Sequence, residues 1–415
     1  MNPELPVEPE AVEPEPAPEP APLLTLREPL PAVIETADRL AAYAAAIASG
    51  SGPVAIDAER ASGYKYSQRA YLIQLRRAGA GTALIDPIPI GDLTSLHDAI
   101  GDAEWILHAA TQDLACLAEV GLRPSSLFDT ELAGRLLNLP RVGLATLVEH
   151  YFGSSLAKEH SAIDWSTRPL PAEWLEYAAL DVEVLIELRE LIHAELEATG
   201  KLAWAQEEFD ALLSFTGPPP REDPWRRTSG VHRARGQRAL GIVRTVWETR
   251  DAIAQERDVS PGRILPDASI VELAVSPPKS LQELRSMRIM RNRGPRRFLD
   301  QWLEAVETAL SLPETELPPA SPGRDGPPPP RAWNDKFPDA SARLAACREF
   351  ILEIAEIHDL PAENLLAPAL VRGLAWKPPE PVTEDSVESV LRAAGARPWQ
   401  IGLTAHGLAD ALKIR

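Results

Sequence analysis

Short apolar runs of strand length mark the first half of the chain, at residues 53–56, 70–75, 82–85 and 105–108. Three of them precede any helical pattern, which predicts a meander of β-strands. From residue 113 the spacing changes. Apolar side chains recur three and four positions apart over 113–120, 129–137, 144–152 and 172–198, as in helices buried along one face. Together these segments predict an α/β domain with a mixed sheet. The rest of the chain shows helical spacing and no convincing strand. Helices are expected at 237–257, 267–274, 280–287 and 295–310. A comparable set follows at 340–358, 362–369, 371–374, 383–392 and 398–412. The similar helix order suggests a degenerate repeat.

Composition divides these elements into blocks. Residues 1–23 repeat Pro, Glu and Ala, have almost nothing to bury, and are expected to form a disordered, partly polyproline tail. Residues 317–330 are rich in Pro and Gly and read as a stiff linker, and a weaker break falls at 216–220. The expected organisation is an α/β domain over 24–215, a helical domain over 221–312, a linker over 313–331 and a second helical domain over 332–415. A length of 415 residues suits two or three domains. No run reaches the ~18–20 apolar residues that span a bilayer. The N-terminus lacks the basic-then-apolar pattern of a secretory signal. The two cysteines, Cys116 and Cys347, are too few for a disulfide framework or a zinc cluster. These features lead us to expect a cytoplasmic protein.

A net charge of −19 at first speaks against a nucleic-acid partner, because phosphates need cations. Its distribution changes that picture. The first 22 residues hold six Glu and no basic residue, whereas residues 218–310 hold 17 Lys and Arg against 12 Asp and Glu. A basic module lies inside an acidic chain.

Five residues are candidates for chemistry. Asp57 and Glu59 end the first apolar run. Side chains two apart on a strand share a face, so the two acids project together and repel unless a cation lies between them. A turn acid is the plain alternative for Asp57. Asp113 begins a helical stretch, where it serves as an N-cap or as a ligand. Asp129 is read as an N-cap. Asp181 lies inside a helix, one turn after Tyr177, and a buried carboxylate there needs a partner. Tyr177 could supply that partner through a hydrogen bond. Clustered carboxylates without matching bases are what two hard cations need, and two cations suit phosphodiester hydrolysis.

Taken in order, Ile56-Asp-Ala-Glu59, His108-Ala-Ala-Thr-Gln-Asp-Leu114 and Tyr177-Ala-Ala-Leu-Asp-Val182 resemble the DEDDy branch of the DEDD exonucleases. Tyr71-Leu-Ile-Gln-Leu75, Leu127-Phe-Asp-Thr-Glu131 and Asp164-Trp-Ser-Thr-Arg-Pro-Leu170 look like ribonuclease D. Pro224-Trp-Arg-Arg227, Arg257-Asp-Val-Ser-Pro-Gly-Arg263 and Ile270-Val-Glu-Leu273 resemble a helicase-and-RNase-D C-terminal (HRDC) domain. The resemblance covers residues 30–310. Beyond it, 332–415 resembles a divergent second HRDC domain by position and helical pattern. The resemblance implies an RNase H-like catalytic fold followed by one or two HRDC-type domains. It implies two divalent cations, Mg²⁺ or Mn²⁺, on Asp57, Glu59, Asp113 and Asp181. It gives Tyr177 the task of orienting the attacking water. The implied activity is 3′–5′ trimming of RNA with a free 3′ end, with tRNA precursors as substrate and nucleoside 5′-monophosphates as product, by a monomer. A related branch uses a histidine in place of the tyrosine. Tyr177 fills that role here, so His160 is read as a loop residue near substrate and His108 as structural. The pattern departs after Glu59, where many members carry an aromatic residue and this chain has Arg60.

Arg285, Arg288, Arg291, Arg293, Arg296 and Arg297 fall within 13 positions and suit contact with phosphates. A solvated surface is the plain alternative. Arg226, Arg227, Arg233, Arg235 and Arg238 would extend the same basic face. Met287, Met290, Phe298 and Trp302 recur at helical spacing and read as core. Two further functional readings stay open from sequence: an exonuclease on single-stranded DNA, and a catalytically silent nucleic-acid-binding module.

Overall fold

A computed structural model describes residues 21–156, 163–321 and 326–414. The strands are β1 (Ser51–Arg60), β2 (Ala70–Ala78), β3 (Gly81–Ile85), β4 (Glu104–Leu107) and β5 (Ser126–Asp129). They form one sheet in the order β3-β2-β1-β4-β5. The first three make the expected antiparallel meander, and β4 and β5 return parallel to β1 through helical connections. Val54, Ala55 and Ile56 are all buried, as a central strand covered on both faces requires.

Sequence periodicity found most of the helices and missed several elements. The segment at 172–198 divides at Val184 into Ala172–Glu183 and Leu185–Ala198. The halves have different partners: the first crosses β1, β2 and β3, and the second packs on β1, β4 and the helix Thr130–Leu136. Glu183, at the junction, is buried and paired with Arg76 at 3.2 Å. Unanticipated elements are β5 and the helices Ala37–Ala48, Thr94–Ile100 and Leu202–Leu212. β5 holds only two apolar residues, Leu127 and Phe128, too few for a strand pattern to show.

The two helical blocks follow one plan. A long helix Gln237–Arg257, a turn Pro261–Ile264 and a helix Asp267–Val275 have counterparts in Pro338–Ile357, Ala362–Leu365 and Pro368–Trp376. An aspartate with left-handed backbone follows each long helix, Asp258 at φ 46° and Asp359 at φ 50°. Both reach the α/β domain. Asp258 accepts from Ser67 N at 2.9 Å, and Asp359 accepts from Asn138 Nδ2 at 2.7 Å. Met290, Phe298 and Trp302 are buried as expected, in a core separate from that of the α/β domain. The core of the last block is continuous with the α/β core.

Trp399 fastens that last block. It stacks on Trp204 at 5.1 Å, donates its indole N–H to Glu208 at 3.1 Å, and donates its backbone N–H to Glu207 at 2.9 Å. Trp399→Ala is therefore expected to cost about 3–5 kcal/mol and to release the last block early in urea. Tryptophan fluorescence and limited proteolysis would follow this. A variant that unfolds at the wild-type midpoint would contradict it.

Candidate active site

The C-terminal half of β1 presents Asp57 and Glu59 on the face crossed by the helix Ala172–Glu183. That helix carries Tyr177 and Asp181 one turn apart. Carboxylate oxygens of Asp57, Glu59 and Asp181 lie within 4.8 Å of one another. The Tyr177 hydroxyl hydrogen-bonds Asp181. These acids and the tyrosine line a cavity of about 550 Å³, and Arg60 and His108 are on its wall.

Asp113 reaches the same cavity through a strained turn after β4. Ala109 has left-handed backbone at φ 58°, which costs an alanine roughly 1–2 kcal/mol. The Asp129 carboxylate holds that turn, accepting from Ala109 N at 3.1 Å and Ala110 N at 2.8 Å. It also caps the next helix, accepting from Glu131 N and Leu132 N. The N-cap expected of Asp129 is thus only part of its work. Asp113 sits at the N-cap of Leu114–Glu119 but makes no side-chain capping bond. Its carboxyl turns to Asp57, with which it shares a hydrogen bond.

The electrostatics follow from this crowding. Burial pushes Glu59 up from 4.5 to about 10, with the charges of Asp57, Asp181 and Asp113 adding to it. Burial likewise raises Asp57, and burial followed by the Asp57 charge lifts Asp113 well above the carboxylate range. Burial and then Asp181 raise the Tyr177 hydroxyl, so it acts as a hydrogen-bond donor. Acids that hold protons against their usual preference are a set built for a cation. The donors are all oxygen, which suits hard divalent ions over zinc.

The remaining sequence candidates take other parts. His108 bonds Thr130 at 2.9 Å, and burial lowers it to about 4, so it stands neutral and structural. His160 lies outside the described residues. Arg285, Arg288, Arg291, Arg293, Arg296 and Arg297 are all exposed, none lines the cavity, and none forms an ion pair with the described residues. Arg226 and Arg238 are committed to structure. Arg226 pairs with Asp223 at 2.7 Å and lies over Trp225, and Arg238 donates to the Ala309 and Leu312 carbonyls. Sequence reading did not foresee the fastening of Ala109 by Asp129. A local pattern cannot show a contact made 20 residues back along the chain.

Comparison with known proteins agrees with this geometry. Residues 31–197 match a 3′-5′ exonuclease family, residues 239–306 an HRDC domain, and residues 326–412 a 3′ to 5′ exonuclease C-terminal domain. Ribonuclease D of Jannaschia sp. (strain CCS1) is 32% identical over 308 residues, covering 71% of this chain and 78% of that one. A crystal structure of a protein from Bifidobacterium adolescentis superposes with a TM-score of 0.88 at 40% identity, covering 95% of this chain and 100% of that one. Escherichia coli RNase D, an exoribonuclease involved in structured RNA processing, superposes at 0.67 with 27% identity, covering 92% and 98%. The chain belongs to the ribonuclease D family of 3′–5′ exoribonucleases.

Proposed function

We propose that this chain trims RNA from a free 3′ end, one nucleotide at a time, with tRNA precursors as substrate. In this reading it works as a monomer in the cytoplasm. Among the described residues no helix is long and apolar enough to cross a membrane. The observation that carries the proposal is the meeting of Asp57, Glu59 and Asp181 within 4.8 Å, beside a tyrosine bonded to one of them. Two divalent cations, Mg²⁺ or Mn²⁺, suit this donor set. Asp57 would hold both, Glu59 and Asp181 would complete one, and Asp113 would hold the other, largely through water. Bound there, they would supply hydroxide near neutral pH and stabilise the leaving 3′ oxygen. Tyr177 would hydrogen-bond the attacking water, which its raised hydroxyl suits. We read the domains as 24–215 catalytic, 221–312 HRDC and 332–415 a second HRDC domain. The shared helix plan and the paired Asp258 and Asp359 turns support the last assignment.

We read the exposed arginines as an extension of the RNA track. The turn Arg293–Arg296 abuts Arg263, where a Cβ on Gly294 would lie 2.6 Å from the Arg263 carbonyl. Arg263 in turn donates to the Gly63 carbonyl at 3.1 Å and lies over Tyr64. Gly63 and Tyr64 follow directly on the acid-bearing strand. The block that carries the arginines is thus docked on the loop that leaves the acid-bearing strand.

A 3′-extended tRNA incubated with Mg²⁺ or Mn²⁺ is expected to give one-nucleotide ladders, faster than a DNA strand of matching sequence. Asp57→Asn or Asp181→Asn should slow this by about 10³-fold or more, the scale of losing one essential electrostatic contact. EDTA should stop it. Ladders that survive both substitutions would refute the assigned site.

Protonation gives a second test. Between 4.5 and about 10 the folded protein keeps a proton on Glu59 that the unfolded chain releases. Stability of the metal-free protein should therefore fall as pH rises through that window. Glu59→Gln should flatten the fall, and added Mg²⁺ should raise the melting temperature more at pH 8 than at pH 6. Calorimetric melts at several pH values would show either trend or its absence.

The arginine patch predicts a salt effect. Replacing Arg293 and Arg296 with Gln should reduce the slope of log affinity against log salt by about 0.7 for each phosphate that is no longer neutralised. Fluorescence anisotropy with single-stranded RNA measures it. An unchanged slope would remove these residues from the RNA track.

A further inference from the structure

Among the described residues, Arg60 is the one arginine or lysine on the wall of the acid cavity. Strict alternation along β1 would turn it away from Asp57 and Glu59. The β1–β2 register shifts between Glu59, which pairs with Leu72, and Arg60, which pairs with Ala70, so the ladder is irregular where Arg60 lies. Arg60 nevertheless reaches the acids, with Nη2 3.9 Å from Asp113 Oδ1. Its side chain keeps 26% of its surface exposed.

The structural arginines of this domain look different. Arg168 donates to Asp86 and to the carbonyls of Trp165, Thr167 and Tyr71. Arg76 donates to Thr82 at 2.8 Å and pairs with buried Glu183. Arg60 has one long ion pair and makes no hydrogen bond with the described residues. A guanidinium carries five donors in a planar fork that matches phosphate. One 3.9 Å contact leaves most of that capacity unspent at the edge of a cavity whose other charged groups are acids.

We propose that Arg60 binds the phosphate joining the last two nucleotides of the substrate, the group that leaves as the 5′-phosphate of the released nucleotide. This rests on the acid cluster being the hydrolytic site. Arg60 rests on Asp113 when no substrate is present and exchanges that long contact for a bidentate one with phosphate oxygens. The 3′-terminal nucleotide is then gripped by its backbone, with little dependence on the identity of its base.

The test uses the full-length protein with Mg²⁺, titrated with a nucleoside 5′-monophosphate and, separately, with the matching nucleoside. Competition against labelled RNA reports binding too weak for calorimetry. Arg60→Gln should weaken the monophosphate by about tenfold or more, the scale of one charge-assisted contact, and leave the nucleoside within about twofold. Arg60→Lys keeps the charge without the fork and should recover part of the loss. Melting temperatures close to that of the wild type would show that both variants fold. Equal losses for both ligands would overturn the proposal in favour of a base contact. Slower RNA trimming with unchanged monophosphate binding would overturn it in favour of a mere tether on Asp113. Failure of the underlying site shows separately, as Asp57→Asn protein that still trims RNA.

Discussion

The crowding of carboxyl groups at the end of β1 is the constraint that organises this protein. Asp57, Glu59 and Asp181 share a space of a few ångströms, and Asp113 leans into it with a shared hydrogen bond. Like charges so close, and largely out of water, oppose folding. A fold that keeps them must hold each one from outside the cluster. A central strand buried on both faces fixes Asp57 and Glu59. A helix laid across three strands fixes Tyr177 and Asp181. Asp129, bonded to four backbone N–H groups, fixes the left-handed turn that delivers Asp113.

The helical blocks extend this support. The loop that leaves β1 is held by the middle block at several points. Ser260 N donates to the Tyr64 carbonyl at 2.9 Å, Tyr66 donates to Asp251 at 3.0 Å, and Ser67 N donates to Asp258. The last block docks on the other side of the domain, through Lys201, Trp204 and Trp399. In each block the aspartate that ends the long helix makes the bridge. A left-handed turn exposes both the backbone and a short carboxylate, so the same local geometry serves two unrelated docking surfaces. The middle block keeps its own core, whereas the last shares that of the catalytic domain, and only the last should lose its footing when one docking residue is removed.

Much of this is legible in the order of residues along the chain. The period-two spacing of Asp57 and Glu59 and the one-turn spacing of Tyr177 and Asp181 each state a shared face, and the fold keeps both. The long helices emerge because an amphipathic stripe repeated over three or more turns is a strong signal. The strand β5 escaped because Ser126–Asp129 holds only two apolar residues. The break at Val184 escaped because it is set by which partner each half meets.

Local periodicity and composition thus set out the candidate acids and tyrosine, their pairwise spacing on each element and the division into one α/β and two helical blocks. Tertiary structure decided how the pairs converge. Asp113 has the sequence position of a helix cap, and its side chain makes no capping bond. Asp129 has the pattern of a cap alone, and it also secures the turn before Asp113. Arg60 reads as a departure from the family pattern after Glu59, and in the fold its side chain reaches Asp113 where the β1–β2 register shifts. Each outcome depends on backbone groups and strand registers far away in the chain, which no local pattern encodes.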